Sequence, residues 1–188
     1  MAKYLIPWSG GLDSTALIYK LLIDGHSVEA LYTNLNNNKQ DIRQLNAVRK
    51  MTKQYFSRYS FTLTEDPVLG GGLNRQNVLM LAQVPCHIFN ILKYVTDHNY
   101  VALAYVMNDD AISFLDDIKS IYNSYNSICN RSLPELLFPF SKTKKESLYN
   151  SLPLILKKNI TWCESDTKNN CGVCPSCKRM TDIIKRNS

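Results

Sequence analysis

Tyr4-Leu5-Ile6-Pro7-Trp8 runs directly into Ser9-Gly10-Gly11-Leu12-Asp13-Ser14-Thr15, after which Ala16, Leu17, Leu21 and Leu22 recur at helical spacing. The order is a short hydrophobic strand, a turn of two glycines and hydroxyl residues, and a helix start. Glycine lets a backbone approach a ligand closely and reach dihedrals that a β-carbon forbids. A helix start aims unpaired N–H groups and a positive dipole end at its guest. Ser9, Ser14 and Thr15 add hydroxyl donors. Together these features predict an anion site, with phosphate as the natural guest.

The sequence holds neither Gly-x-x-x-x-Gly-Lys-Ser/Thr nor Gly-x-Gly-x-x-Gly, so the P-loop and the dinucleotide fingerprint are both excluded. Ser9 to Ser14 resembles instead the Ser-Gly-Gly-x-Asp-Ser signature that pyrophosphatase-loop (PP-loop) ATP enzymes carry after their first strand. The resemblance implies cleavage of ATP between the α and β phosphates to give an adenylate. It implies that Ser9, Gly10, Gly11, Leu12, Ser14 and Thr15 form the nucleotide loop and that Asp13 positions Mg²⁺. The plainer alternative is a strand-to-helix turn capped by Asp13 or Ser14. Five matched residues, followed by the hydroxyl of Thr15, in a strand–turn–helix context weigh against it.

At the other end, Cys163, Cys171, Cys174 and Cys177 read C-x7-C-G-x-C-x2-C. Two cysteines separated by two residues can both reach one ion from a tight turn. Four thiolates suit a closed tetrahedral Zn²⁺ site, structural rather than catalytic. The spacing also admits an iron–sulfur cluster. Disulfides are not expected, because the N-terminus resembles no secretory signal and the chain reads as cytoplasmic.

The two ends together resemble the 7-cyano-7-deazaguanine synthase family (QueC). Tyr32 stands where that family has Tyr-Gly-Gln, and Val84-Pro85 where it has Val-Pro-Gly-Arg-Asn. Asn108 to Asp110 follow a buried strand as the family's Asn and Asp do. Thr143-Lys144-Lys145-Glu146 matches Thr-Lys-x-Glu, and Thr161-Trp162 precedes the first cysteine. The resemblance implies conversion of 7-carboxy-7-deazaguanine, ATP and ammonia to the 7-cyano compound through acyl-adenylate and amide intermediates. Asp13, Ser14 and Lys144 would carry catalysis, and Tyr32, Asn108 and Asp110 would help bind the nucleotide, with Mg²⁺ and Zn²⁺ as cofactors. The chain departs from the family at Thr33 to Asn38, Gln44, Cys86-His87-Ile88, and Ala104 or Tyr105. These positions fall on the nucleobase side. Three other readings follow: a diverged ligase that stops at the amide or couples another amine, a PP-loop tRNA-modifying enzyme, and a non-enzymatic zinc-ribbon nucleic-acid binder.

A chain of 188 residues, 45% hydrophobic and 20% charged, is sized for one core. The expected organisation is an α/β domain over 1–160, a doubly wound parallel sheet of PP-loop (adenine nucleotide alpha hydrolase-like) type. A zinc-binding segment over 161–188 would pack on it. No apolar run reaches membrane-spanning length. The formal charge of +6 drops to about +4 when four thiolates hold Zn²⁺. That suits polyphosphates and demands no nucleic acid; a homodimer is compatible with it.

Strands are predicted at about 3–8, 27–33, 58–64, 100–106 and 136–138, and helices at about 14–24, 39–56, 76–98, 112–128, 143–150 and 175–186. Thr143 with Glu146 reads as a capping box that places Lys144 in a first helical turn. Lys157-Lys158 and Lys178-Arg179 through Lys185-Arg186 read as solvated faces. His87 reads as a hydrogen-bonded, partly buried side chain, and Cys129 as core. His26 and His98 read as capping or surface groups. Asp116 and Asp117 are read equally as solvated or near the substrate. Gly70 to Gly72 read as a loop over the site.

Overall fold

A computed structural model of the chain describes residues 1–34, 39–66, 83–129, 132–165 and 167–187, with the backbone alone at 83–86 and 129. The Asn-rich stretch 35–38, Gly70 to Gly72, and the side chains of Val84, Pro85, Cys86 and Cys129 lie outside the described residues. Among the described residues, strands β1 (Lys3–Pro7), β2 (Ser27–Thr33), β3 (Phe61–Asp66), β4 (Tyr100–Ala102) and β5 (Glu135–Leu137) form one parallel sheet in the order β3-β2-β1-β4-β5. Helices α1 (Leu12–Ile23), α2 (Lys39–Gln54), α3 (Gln83–Tyr94), α4 (Leu115–Cys129), α5 (Lys145–Ser151), α6 (Leu154–Lys157) and α7 (Pro175–Arg186) surround it.

β1 is central and buried on both faces, which explains its unbroken apolar sequence. Side chains alternate along a strand. Tyr4, Ile6 and Trp8 meet Leu17 of α1, Val48 and Met51 of α2, and Met180 and Ile183 of α7. Leu5 faces the other way, with Ile88 and Ile91 of α3 and Ile118 and Tyr122 of α4. Leu5 and Ile6 are fully buried, and each contributes about 1.5–3 kcal/mol. Parallel register pairs Tyr4 with Val28 on one side and Tyr100 on the other. The strand order reverses between β1 and β4, so a crevice opens beyond their carboxyl ends. No helix among the described residues is long and apolar enough to cross a membrane.

Several boundaries differ from expectation. α1 begins at Leu12 because Gly10 turns the chain at φ +74° and Gly11 is an extended N-cap. β4 ends at Ala102, where the chain leaves the sheet. The capping box does not form. Thr143 N–H donates to the Phe140 carbonyl at 2.8 Å, and this turn delays the helix, so Lys144 is the N-cap and α5 starts at Lys145. His98 is 7% exposed rather than a surface group. Asp116 and Asp117 are solvated in the first turn of α4. Pro153 starts the unexpected α6, and short 3-10 turns occupy Phe56–Arg58 and Asp110–Phe114.

Candidate functional site

The crevice is a cavity of about 580 Å³ at the carboxyl ends of β1 and β4. Ser9, Gly11, Leu12, Asp13 and Ser14 line one side, Leu103 to Tyr105 another, and Thr161 to Glu164 a third. No side chain caps α1. The N–H groups of Leu12, Asp13 and Ser14, which have no intrahelical acceptor at a helix start, therefore stand at this cavity. Gly10 stays outside the cavity and serves the backbone. A β-carbon there would meet Val48 Cγ2 at 3.2 Å and the Gln44 carbonyl at 3.3 Å, besides the positive φ.

Asp13 is the charged centre of the loop. Its Oδ2 pairs with Lys145 Nζ at 2.8 Å, both side chains being 22% exposed. Its Oδ1 is buried without a hydrogen-bond partner. Burial raises the Asp13 pKa; Lys145 opposes that rise, Asp109 adds to it and Arg179 opposes it. A buried carboxylate oxygen lacking a donor fits a hard divalent cation such as Mg²⁺.

The structure divides the predicted residues. Ser9, Gly11, Leu12, Asp13 and Ser14 reach the cavity together. Thr15 is fully buried, and its Oγ1 accepts the Trp8 Nε1–H at 2.9 Å, so it supports the cavity wall from behind. Tyr32 is 2% exposed and donates its hydroxyl to the Asp41 carbonyl at 2.7 Å, while its neighbours Leu31 and Thr33 line the cavity. Asp110 is exposed and Asp109 takes the cavity position, its Oδ2 accepting from Val106 N–H at 3.0 Å. Asn108, at φ 69°, and Lys144 line a second cavity of about 300 Å³ that shares Lys145 and Arg179 with the first. Arg179 is thus a cavity residue, not merely a solvated charge. Of the positions expected to depart from the resembled family, Thr33, Gln44, His87, Ala104 and Tyr105 line the main cavity, whereas Ile88 is fully buried in the core.

The four cysteine Sγ atoms lie within 4.8 Å of one another. Tetrahedral Zn–S bonds of about 2.3 Å put sulfurs about 3.8 Å apart, and Cys171 and Cys177 already stand at 4.0 Å. Backbone N–H groups support the sulfurs: Cys171 donates to Cys163 Sγ at 3.3 Å, Cys174 to Cys171 Sγ at 3.3 Å, and Cys177 to Cys174 Sγ at 3.4 Å. The Ser165 hydroxyl, then the Val173 and Cys174 N–H groups, pull the Cys171 thiol down to about 5. Burial pushes Cys177 up to about 12, so metal binding there releases a proton. The donor set and spacing fit Zn²⁺.

Arg43 of α2, which the sequence did not single out, holds this segment. Its Nη2 donates to the Cys163 carbonyl at 2.5 Å and its Nε to Thr161 Oγ1 at 3.2 Å, and its Nη1 bonds the Thr167 carbonyl. Thr161 N–H in turn donates to the Gly10 carbonyl at 2.9 Å.

No protein-family model and no curated protein matches the sequence. Solved structures match the fold. The superposition covers 98% of this chain and 50% of a 4-thiouridine synthetase solved as an RNA complex with bound ATP, at TM-score 0.57 and 12% identity. A predicted subunit of tRNA methyltransferase from Methanocaldococcus jannaschii matches over 80% of this chain and 73% of its own, at TM-score 0.51 and 12% identity. The chain spans half the length of the synthetase. This likeness shows the fold: a parallel five-stranded sheet flanked by helices, here with a four-cysteine cluster near its C-terminus.

Proposed function

We propose that the chain is an ATP-dependent adenylating enzyme whose substrate is a small carboxylated nucleobase, 7-carboxy-7-deazaguanine on the family resemblance. The observation that carries the proposal is Asp13: a buried, unpartnered carboxylate oxygen beside Lys145, within a glycine-turned loop, at a helix start open to one cavity. The N–H groups of Leu12 to Ser14 with the Ser9 and Ser14 hydroxyls would receive the β and γ phosphates, and Lys145 would balance their charge. Mg²⁺, held at Asp13 Oδ1, would supply charge neutralisation on the departing pyrophosphate. Protein groups aimed at charge that develops on the leaving group lower the barrier without reorganising.

The acceptor carboxylate attacks the α-phosphorus and pyrophosphate leaves. Ammonia displaces AMP to give the amide. A second adenylation of the amide oxygen, followed by loss of AMP and a proton, gives the nitrile. Trp162 and Tyr105 add aromatic side chains to the lining of the same cavity. There Gln44, His87 and Ala104 replace family residues, and the acceptor's identity rests on them.

A second reading has its own support: two of the structures that share the fold are an RNA-bound 4-thiouridine synthetase and a predicted tRNA methyltransferase subunit. The same half-reaction on a base of tRNA would then be the activity. One assay separates the readings. The chain is incubated with ATP, Mg²⁺ and ammonium plus either 7-carboxy-7-deazaguanine or tRNA, and the products are read by mass spectrometry. Nitrile from the free base is expected. Amide or protein adduct in its place would assign a diverged ligase, and AMP formed only with tRNA would assign the second reading. No AMP with either substrate overturns adenylation. Asp13→Asn is expected to lower AMP formation by about 10²–10³-fold while the chain remains folded.

A further inference from the structure

We infer that Arg43 is a positioning residue that couples metal occupancy of the cysteine cluster to nucleotide affinity. This rests on the reading that the loop binds ATP and the cluster binds Zn²⁺, and it holds whatever the acceptor is.

Arg43 lies on α2, between the two sites. Its guanidinium bonds the carbonyls of Cys163, Ser165, Thr167 and Asn169, with 2.5 Å to Cys163 and 3.4 Å to Ser165 and Asn169. These acceptors are neutral oxygens, so what holds the cation is the direction in which the loop aims its dipoles. The cysteines set that direction, since Cys163 is itself a donor of the cluster. On its other side Arg43 Nε holds Thr161 Oγ1 at 3.2 Å, and Thr161 N–H holds the Gly10 carbonyl at 2.9 Å. The Gly10 turn also rests on α2, with the Gln44 carbonyl 3.3 Å from where a β-carbon would stand. Cluster, Arg43, Thr161 and phosphate loop form an unbroken chain of hydrogen bonds. Such a contiguous network is one physical route by which two sites can be coupled, and the test below measures whether both sites bias it. Lysine cannot replace the fork, because an ammonium is a point donor that does not bridge several carbonyls and a hydroxyl at once.

The test uses the full chain and α,β-methylene-ATP with Mg²⁺ as probe. The zinc-loaded chain is expected to bind the probe at least about fivefold more tightly than the chain stripped by a chelator. Reciprocity requires the probe to raise zinc affinity by the same factor, read by competition with a chromogenic chelator. Zinc-loaded Arg43→Lys is expected to bind the probe as weakly as the stripped chain, with an unchanged circular dichroism spectrum. Equal probe affinity in loaded and stripped wild-type chain, or full affinity in loaded Arg43→Lys, overturns the coupling. If stripping unfolds the chain, the comparison of loaded Arg43→Lys with loaded wild type decides alone. A wild-type chain that binds no zinc or no nucleotide defeats the underlying reading, an outcome recognisable before any variant is made.

Discussion

Single residues decide the character of the site, and Thr15 shows how a hydroxyl in a phosphate motif can serve the fold. It is fully buried and accepts the Trp8 indole N–H. Thr15→Val keeps the shape and removes the acceptor, leaving a buried donor unpaired, so urea denaturation is expected to show a loss of about 1–3 kcal/mol. Probe affinity should stay within about twofold; a collapse of affinity at unchanged stability would return Thr15 to the phosphate. The sequence made Asp13 and the glycines legible because their geometry is local. It did not separate Lys144 from Lys145 or Asp110 from Asp109, because Lys144 and Asp109 are extended N-caps and the residue after each opens a helical turn. A turn that shifts a helix start by one residue therefore changes which side chain faces the cavity.

At the scale of elements, His98 ties the start of β4 to β2. Its Nδ1 accepts from Thr96 N–H at 3.3 Å and its Nε2 meets Glu29 Oε2 at 3.2 Å, with Lys3 pairing Asp97 at 2.5 Å beside them. Burial holds the His98 pKa below its ordinary value of 6.5; Lys3 lowers it further, and Glu29 and Asp97 oppose. A depressed folded-state pKa means the unfolded chain binds the proton more readily. His98 therefore contributes stability above about pH 6.5 that is lost as pH falls through the folded value. The urea midpoint should drop on acidification from about pH 7 to 5, and His98→Gln should flatten that drop. An equal drop in the variant would assign the effect elsewhere. The strands were readable from short apolar runs, but Val101 to Val106 was not separable into strand and cavity wall. Both environments bury the same side chains.

For the whole molecule, α7 links the cysteine cluster to the main core, since Cys177 lies on it and its Met180 and Ile183 belong to the same buried cluster as Trp8 and Ile6. The purified chain is expected to carry one zinc, and chelation should lower Tm by more than about 10 °C, since structural zinc contributes folding energy outright. Elemental analysis with a thermal melt checks both, and an unchanged Tm would make the metal dispensable. Both terminal motifs were legible because each closes its geometry within a few residues. Arg43 was not, because its acceptor at Cys163 lies 120 residues away. β1 makes the same point about assembly. Its neighbours are β2, a short hop along the chain, and β4, which brings Tyr100 to Tyr4. Beyond them, the walls of the cavity arrive as late as Met180. A ribosome that has released the whole Ser9–Thr15 signature has therefore made no pocket, and a fragment ending before β4 carries the motif without the site.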